Sequence, residues 1–146
     1  MSATNPDPRV QAVIKFFEQL QPADLARLDQ LYCEDAYFKD PFNEVQSLAG
    51  VRRIFAHMFE TLSQPRFEVL EALCEGNQCF LAWDFIVQRQ GQTEPLRIHG
   101  SSHLRFAPDG RVAYHRDYWD AAEELYEKLP LLGALMRALK RRLRAH

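Results

Sequence analysis

An α+β domain, in which a curved antiparallel sheet wraps around three N-terminal helices and a further helix is added at the C-terminus, is what the sequence predicts. Three observations carry this. Apolar residues recur at helical spacing through most of the first 62 residues. After Pro65 the texture changes to four apolar runs separated by turn signals. Residues 131–146 then return to helical spacing, with a basic side.

The elements follow in order. Asp7-Pro8 reads as a helix cap followed by proline at the first helical position, and Val10, Val13, Ile14, Phe17 and Leu20 keep helical spacing behind it. Gln21-Pro22 ends that helix, and a shorter one carries Leu25, Leu28 and Leu31 or Tyr32. "EDAYFKD" reads as a strand closed by Pro41. The loop "PFNEVQSLAG" leads into a third helix with Val51, Ile54, Phe55, Met58, Phe59 and Leu62 on one stripe. "RFEVLEALCE", "CFLAWDFIVQR", "PLRIHGSSHLRF" and "RVAYHRDYW" form a four-stranded meander. "DAAEELYEKL" is helical again, and Pro130 opens the last helix. One domain covers residues 1–146, with a core over about 8–120 and a helical extension over about 121–146. Helices segregated from a long antiparallel sheet imply a sheet curled around them, with a cone-shaped hollow open at one end.

Composition narrows the function. The 146 residues are 47% hydrophobic and 12% aromatic, enough for a core without disulfide or metal staples and for a pocket walled by rings. No apolar run approaches a membrane span and the first ten residues lack a secretory segment, so the expected location is cytoplasmic. Net charge is −2, but the last ten residues hold five of the 18 basic residues and no acid. The remainder therefore carries 20 acidic against 13 basic residues, which excludes nucleic acid as a partner of the body. Cys33, Cys74 and Cys79 are too scattered for a disulfide framework or zinc site. A two-residue turn at Gly76-Asn77 sets Glu75 opposite Gln78 and Cys74 opposite Cys79 as neighbouring thiols. The sequence holds no Gly-rich phosphate loop, Ser-His-Asp set or metal-ligand cluster, so no cofactor and no metal are expected.

Strand parity selects the residues that face the hollow. With Asp40 inward, Phe38 is inward too. In "CFLAWDFIV" the face with Phe80, Ala82, Asp84 and Ile86 is assigned to the hollow. Leu81, Trp83, Phe85 and Val87 then point outward and call for a homodimer through the outer sheet face. Ile98, Gly100, Ser102, Leu104 and Phe106 take the inner side of the next strand. His99 and His103 lie opposite, roughly 13 Å apart and unable to share a metal. Ala113, His115, Asp117 and Trp119 share one face of the last strand, where His115 and Asp117 converge. Asp40, Asp84, Asp117 and His115 are therefore the candidate catalytic groups, because carboxylates sharing an apolar hollow raise one another's pKa and can divide acid and base roles. Each has a structural alternative: a strand-end cap for Asp40, a cross-sheet arginine pair for Asp84, and Arg105 or Arg116 as partner for Asp117. The pocket wall is assigned to Phe38, Phe55, Phe59, Ala82, Ile98, Ser102, Leu104 and Trp119.

On "LYCEDAYFKDPF", the Gly50 opening of the third helix, "GSSHLRFAPDGRV" and "HRDYWD", the chain resembles the nuclear-transport-factor-2-like superfamily, in its SnoaL-like and ketosteroid-isomerase-like branch, over about residues 8–120. The resemblance implies a cone-shaped half-barrel, or cystatin-like roll, shared by enzymes and binding modules. The ketosteroid isomerase base falls on Asp40, while Phe16, also assigned to the wall, and Ser102 stand where that family has its tyrosine and second acid. In limonene epoxide hydrolases the Asp-Arg-Asp core matches Asp117 and Asp84, with Ala82 in place of the arginine. SnoaL-like polyketide cyclases imply acid/base chemistry on a ring-forming carbonyl compound.

The expected function is binding of a hydrophobic small molecule, with cofactor-independent isomerase, cyclase or epoxide-hydrolase chemistry. The alternative is a non-catalytic ligand-binding or dimerising accessory protein. The last helix sets Leu131, Leu132, Leu135, Met136, Leu139 and Leu143 against its basic residues. It is either a lid or dimer element on its own domain, or a segment in weak contact with a membrane surface.

Overall fold

The computed structural model describes residues 3–89, 91–124 and 130–144. Helix α1 spans Pro8–Glu18, a 3-10 stretch Pro22–Gln30, strand β1 Tyr32–Lys39, β2 Glu44–Val45 and α2 Leu48–Thr61. Strands β3 (Ser63–Glu75), β4 (Gln78–Gln88), β5 (Leu96–Phe106) and β6 (Val112–Tyr118) follow, then α3 (Ala121–Glu124) and α4 (Pro130–Leu143). The order matches expectation, with β2 added in a segment read as loop. Of the helix read from Asp120 onward, residues 125–129 lie outside the described residues, as do the side chains of Leu131, Leu132 and Met136.

The strands make one sheet in the order β2-β1-β6-β5-β4-β3. β1 joins β6 in parallel, and every other pairing is antiparallel. Helices α1 and α2 fill the concave side. Asp7 caps α1 by accepting from the Arg9 N–H at 2.9 Å, and Pro8 stands in the first turn. The Arg9 guanidinium also donates to Asp7 Oδ2 at 2.7 Å and to Gly76 O at 2.8 Å, tying α1 to the β3–β4 turn. That guanidinium holds the Asp7 carboxyl well below the usual carboxylate range. Val10, Val13, Ile14 and Phe17 form the buried side of α1, and Leu48, Val51 and Phe55 that of α2.

Bulges give the sheet its curl. Val69 pairs with Trp83 and Glu71 with Ala82, so Leu70 is an extra residue on β3. There the Val69 N–H donates to Glu18 Oε2 of α1 at 3.0 Å, and Val69 O accepts from the Ala3 N–H at 2.9 Å. A second irregularity falls between Ser63 and Arg66, a third between Tyr32 and Tyr37, and a fourth where Phe106 pairs with Val112 but Arg105 with Tyr114. Each increases local twist and shifts which residues face inward.

The face assignment of β4 is reversed relative to the sequence expectation. Leu81 lies opposite Ser102, Trp83 opposite Gly100 and Phe85 opposite Ile98, so these β4 residues share the inner face of β5. Cys79, Leu81, Trp83 and Val87 are buried, and Phe85 half-buried, while Phe80 is exposed. Full burial of a large apolar side chain stabilises by about 1.5–3 kcal/mol, so the more apolar row goes inward. Ala82 and Asp84 therefore leave the hollow, and the row expected to cover a second subunit is part of the core. Ile86, also on the outer face, is buried between its register partners Arg66 and Arg97. The β3–β4 register sets Cys74 opposite Cys79 and Glu75 opposite Gln78, as the Gly76-Asn77 turn requires. Both thiols are free, and burial pushes Cys79 up to about 12.

Gly100 lets the inner row close. A Cβ there would lie 2.5 Å from Trp83 Cη2 and 2.9 Å from two further ring atoms, so the indole lies directly on the β5 backbone. Gly100→Ala is expected to displace that ring and cost about 1–3 kcal/mol as an overpacked core site. A lower denaturation midpoint with altered tryptophan emission is the expected readout; an unchanged midpoint would refute the close packing.

Candidate functional site

The site is built on β6 and β5. A two-residue step puts His115 and Asp117 on the inner face of β6, and the register sets Ser102 opposite Asp117. His115 Nε2 lies 2.6 Å from Asp117 Oδ1, and Ser102 Oγ lies 2.5 Å from the same oxygen. Tyr32, at the start of β1, brings its hydroxyl 2.6 Å from His115 Nδ1. Trp83 on β4 donates from Nε1 to Ser102 Oγ at 2.8 Å.

One proton arrangement satisfies all four contacts. An ionised carboxylate only accepts, so Ser102 donates to Asp117 and His115 carries its proton on Nε2. In a neutral imidazole Nδ1 is then the acceptor for the Tyr32 hydroxyl. Asp117 Oδ2 takes no hydrogen bond from the described residues and is the open acceptor of the group. His115 is 3% exposed and is enclosed by rings: Phe38 at 4.7 Å between centroids, Phe17 edge-on at 5.9 Å and Tyr32 stacked at 5.9 Å. Burial drives the Tyr32 hydroxyl well above its ordinary pKa, so it stays a donor.

Asp117 opens on two connected spaces. A recess of about 20 Å³, lined by Phe17, Phe55, Trp83, Ser102, His115 and Asp117, has room for one water or one ligand oxygen. Beyond it a cavity of about 300 Å³ widens between α2 and the sheet, at the lower end of small-molecule sites. Phe38, Phe55, Phe67, Trp83, Ile98 and Trp119 are among its walls.

The predicted residues sort as follows. Asp117, Phe38, Phe55, Ile98 and Trp119 line the cavity, and His115, Ser102 and Asp117 meet in the recess. Asp40 stands at the mouth, but its Oδ1 accepts from the Phe42 N–H at 2.8 Å and the Asn43 N–H at 2.7 Å. It thus caps the turn after β1 while facing the opening. Asp84 is a correction: it lies on the outer face, with Arg97 Nη1 at 3.0 Å and His99 Nδ1 at 2.9 Å. Burial opposes its charge, yet the bonds from His99 and Arg97 prevail and hold its carboxyl below the ordinary range. Ala82 shares that outer face. Phe16 is corrected to a surface groove beside Lys15 and Gln19, because the inward ring of α1 is Phe17. Phe59 packs at the edge of the core, with Met58 on the cavity wall instead. Leu104 faces inward but is fully packed below the cavity. A Ser-His-Asp set, absent as a sequence motif, does assemble in space as Ser102, His115 and Asp117, with the carboxylate between the other two.

Tyr32, Trp83 and Phe17 were missed as site residues. Phe17 stood in the apolar row of α1, and Trp83 in the more apolar row of β4, so both carried a readable signal. Tyr32 carried none, since its partner His115 is 83 positions away.

Tyr32→Phe strips a buried acceptor of its donor and is expected to cost about 1–3 kcal/mol in chemical denaturation; a loss near zero would refute the bond. For Asp84, a lowered folded pKa means that its stabilisation is full above the unfolded value near 4 and fades as pH falls through the lower folded value. Asp84→Asn is accordingly expected to lose up to about 1 kcal/mol at neutral pH, converging with the native chain in acid. A gap that widens in acid would contradict this.

Comparison with known proteins accords with this geometry. Residues 13–115 match the SnoaL-like domain family. No curated protein matches the chain significantly. Among solved structures, a protein with a ketosteroid isomerase-like fold from Catenulispora acidiphila DSM 44928, in complex with trimethylamine, is 15% identical. It superposes with a TM-score of 0.69 over 84% of this chain and 92% of its own. An LEH-like epoxide hydrolase of M. tuberculosis is 16% identical, with a TM-score of 0.67 over 90% of this chain and 95% of that one. TerC, co-crystallised with polyporic acid, is 15% identical, with a TM-score of 0.68 over 80% and 95% of the two chains. These likenesses show a shared nuclear-transport-factor-2-like fold. With its curved sheet, inner helices and match over residues 13–115, the chain belongs to the SnoaL-like domain family.

Proposed function

We propose that the chain binds an apolar carbonyl compound in the cavity and moves a proton on it, without a cofactor, with Asp117 as the base. The observation that carries this reading is the carboxylate of Asp117, which lines an aromatic cavity, with one oxygen held by Ser102 and His115 and the other without a hydrogen bond from the described residues. Such a base needs its proton target within hydrogen-bond reach, and a small ligand bound in the 300 Å³ space would lie against it.

In the proposed step, Asp117 Oδ2 takes a proton from the carbon beside the carbonyl. The C–H electron pair becomes the enolate double bond, and negative charge moves to the carbonyl oxygen in the recess. Neutralising Asp117 weakens its hold on the Ser102 hydroxyl, which can then turn towards that oxygen as an oxyanion donor. His115, fixed by Tyr32, keeps the acid oriented for return of the proton to a second carbon. An isomerase or cyclase type of reaction follows. The epoxide-hydrolase reading is weaker, because Asp84 and Ala82, two of its three matching positions, are on the outer face. The small-molecule complexes of the solved relatives support a ligand-binding cavity. A homodimer through the outer face would cover exposed Leu73, Phe80 and Tyr118.

Deuterium exchange at the carbons beside the carbonyl of cyclohexanone, followed by NMR, tests the base. Exchange faster than background is expected, with Asp117→Asn lowering it about 100-fold or more. Asp84→Asn, on the far side of the sheet, serves as control. An equal loss in Asp40→Asn alone would move the base to Asp40. No exchange by the native chain, with a fluorescent naphthalene sulfonate probe still bound, would leave a binding protein.

A further inference from the structure

Among the described residues, none of the last helix lines the cavity. Along α4, Leu135, Leu139 and Leu143 are 55%, 44% and 84% exposed and stack on successive turns of one side. At about 100° per residue, Arg137, Lys140, Arg141 and Arg144 fall on the opposite arc, with Arg142 beside the leucine row. Residues 130–144 contain five cations and no acid. Among the described elements α4 packs chiefly on α3, and its leucine row is not folded down over the cavity as a lid would be.

We propose that α4 is a docking helix for an anionic lipid bilayer, lying in the interface with its leucines at the acyl boundary and its cations among the headgroups. Both chemistries are needed together. A nucleic acid would meet the cations and leave the leucines in water, whereas a bilayer surface takes both. No described helix is long and apolar enough to cross a membrane. The rest of the chain, with 20 acidic against 13 basic residues, is repelled by the same surface, so the helix leads the approach. β6 delivers the chain to Trp119 on the wall of the cavity, and the segment from there to Pro130 reaches at most about 40 Å. Docking therefore keeps the cavity within about one domain diameter of the lipid. This inference does not depend on the chemistry of Asp117.

Sedimentation of the whole chain with phosphatidylcholine vesicles, with and without phosphatidylserine, tests it. Binding is expected only with phosphatidylserine and should fall as salt is raised. Arg141→Gln and Arg144→Gln should each weaken binding roughly fivefold. A combined Leu135→Ser, Leu139→Ser and Leu143→Ser variant should lose it while keeping native circular dichroism and naphthalene sulfonate probe binding. No sedimentation with either vesicle, or equal sedimentation with both, overturns the proposal. So does a leucine variant that keeps lipid binding, or one that only converts a dimer to a monomer.

Discussion

The hydrogen-bonded chain from Trp83 through Ser102, Asp117 and His115 to Tyr32 is the constraint on which the interior depends. A carboxylate and an imidazole inside a shell of rings are tolerable only when their polar atoms are paired. Among the described residues, no buried side-chain nitrogen or oxygen lacks a partner. The network also spans four strands, β1, β4, β5 and β6. It therefore fixes how far the sheet closes as well as where its acid sits.

Sheet curvature makes this meeting possible. The bulge at Leu70 bends β3, and the N–H of Val69 beside it, on the free edge of the sheet, is taken by Glu18 on α1. The helix layer and the bend are thereby one device. Gly100 contributes the other half, since only a residue without a side chain lets the Trp83 indole lie on β5 and reach Ser102. The aromatic walls that result are both packing and cavity. Phe17, Phe38 and Phe55 touch each other or His115 on one side and leave open space on the other.

Charge is divided between the two faces of the sheet in different ways. On the outside, Asp84 sits among Arg97 and His99, and Glu68 among Arg66 and Arg97, partly exposed pairs that water screens. Inside, Asp117 meets a hydroxyl and an imidazole. An acid satisfied by cations is pinned as an ion pair, whereas one held by a hydroxyl and an imidazole keeps its second oxygen without a hydrogen bond from the described residues. That contrast, rather than the number of acids, separates the outer ion-pair lattice from the inner hydrogen-bonded group.

Much of this was legible in the residues. Helical spacing located α1 and α2, turn pairs separated the strands, the Gly76-Asn77 turn set Cys74 opposite Cys79, and the two-residue step joined His115 to Asp117. These are local matters, decided by dihedral preference and alternation within a few residues. The inward row of β4 and the choice of Phe17 over Phe16 at the recess left a trace in their apolar neighbours, whereas the meeting of Tyr32 with His115 was decided only by tertiary structure. Bulges reset alternation along a strand, and a side chain's facing depends on partners far along the chain. The composition of a strand states what it can bury; the register of its neighbours determines which side does.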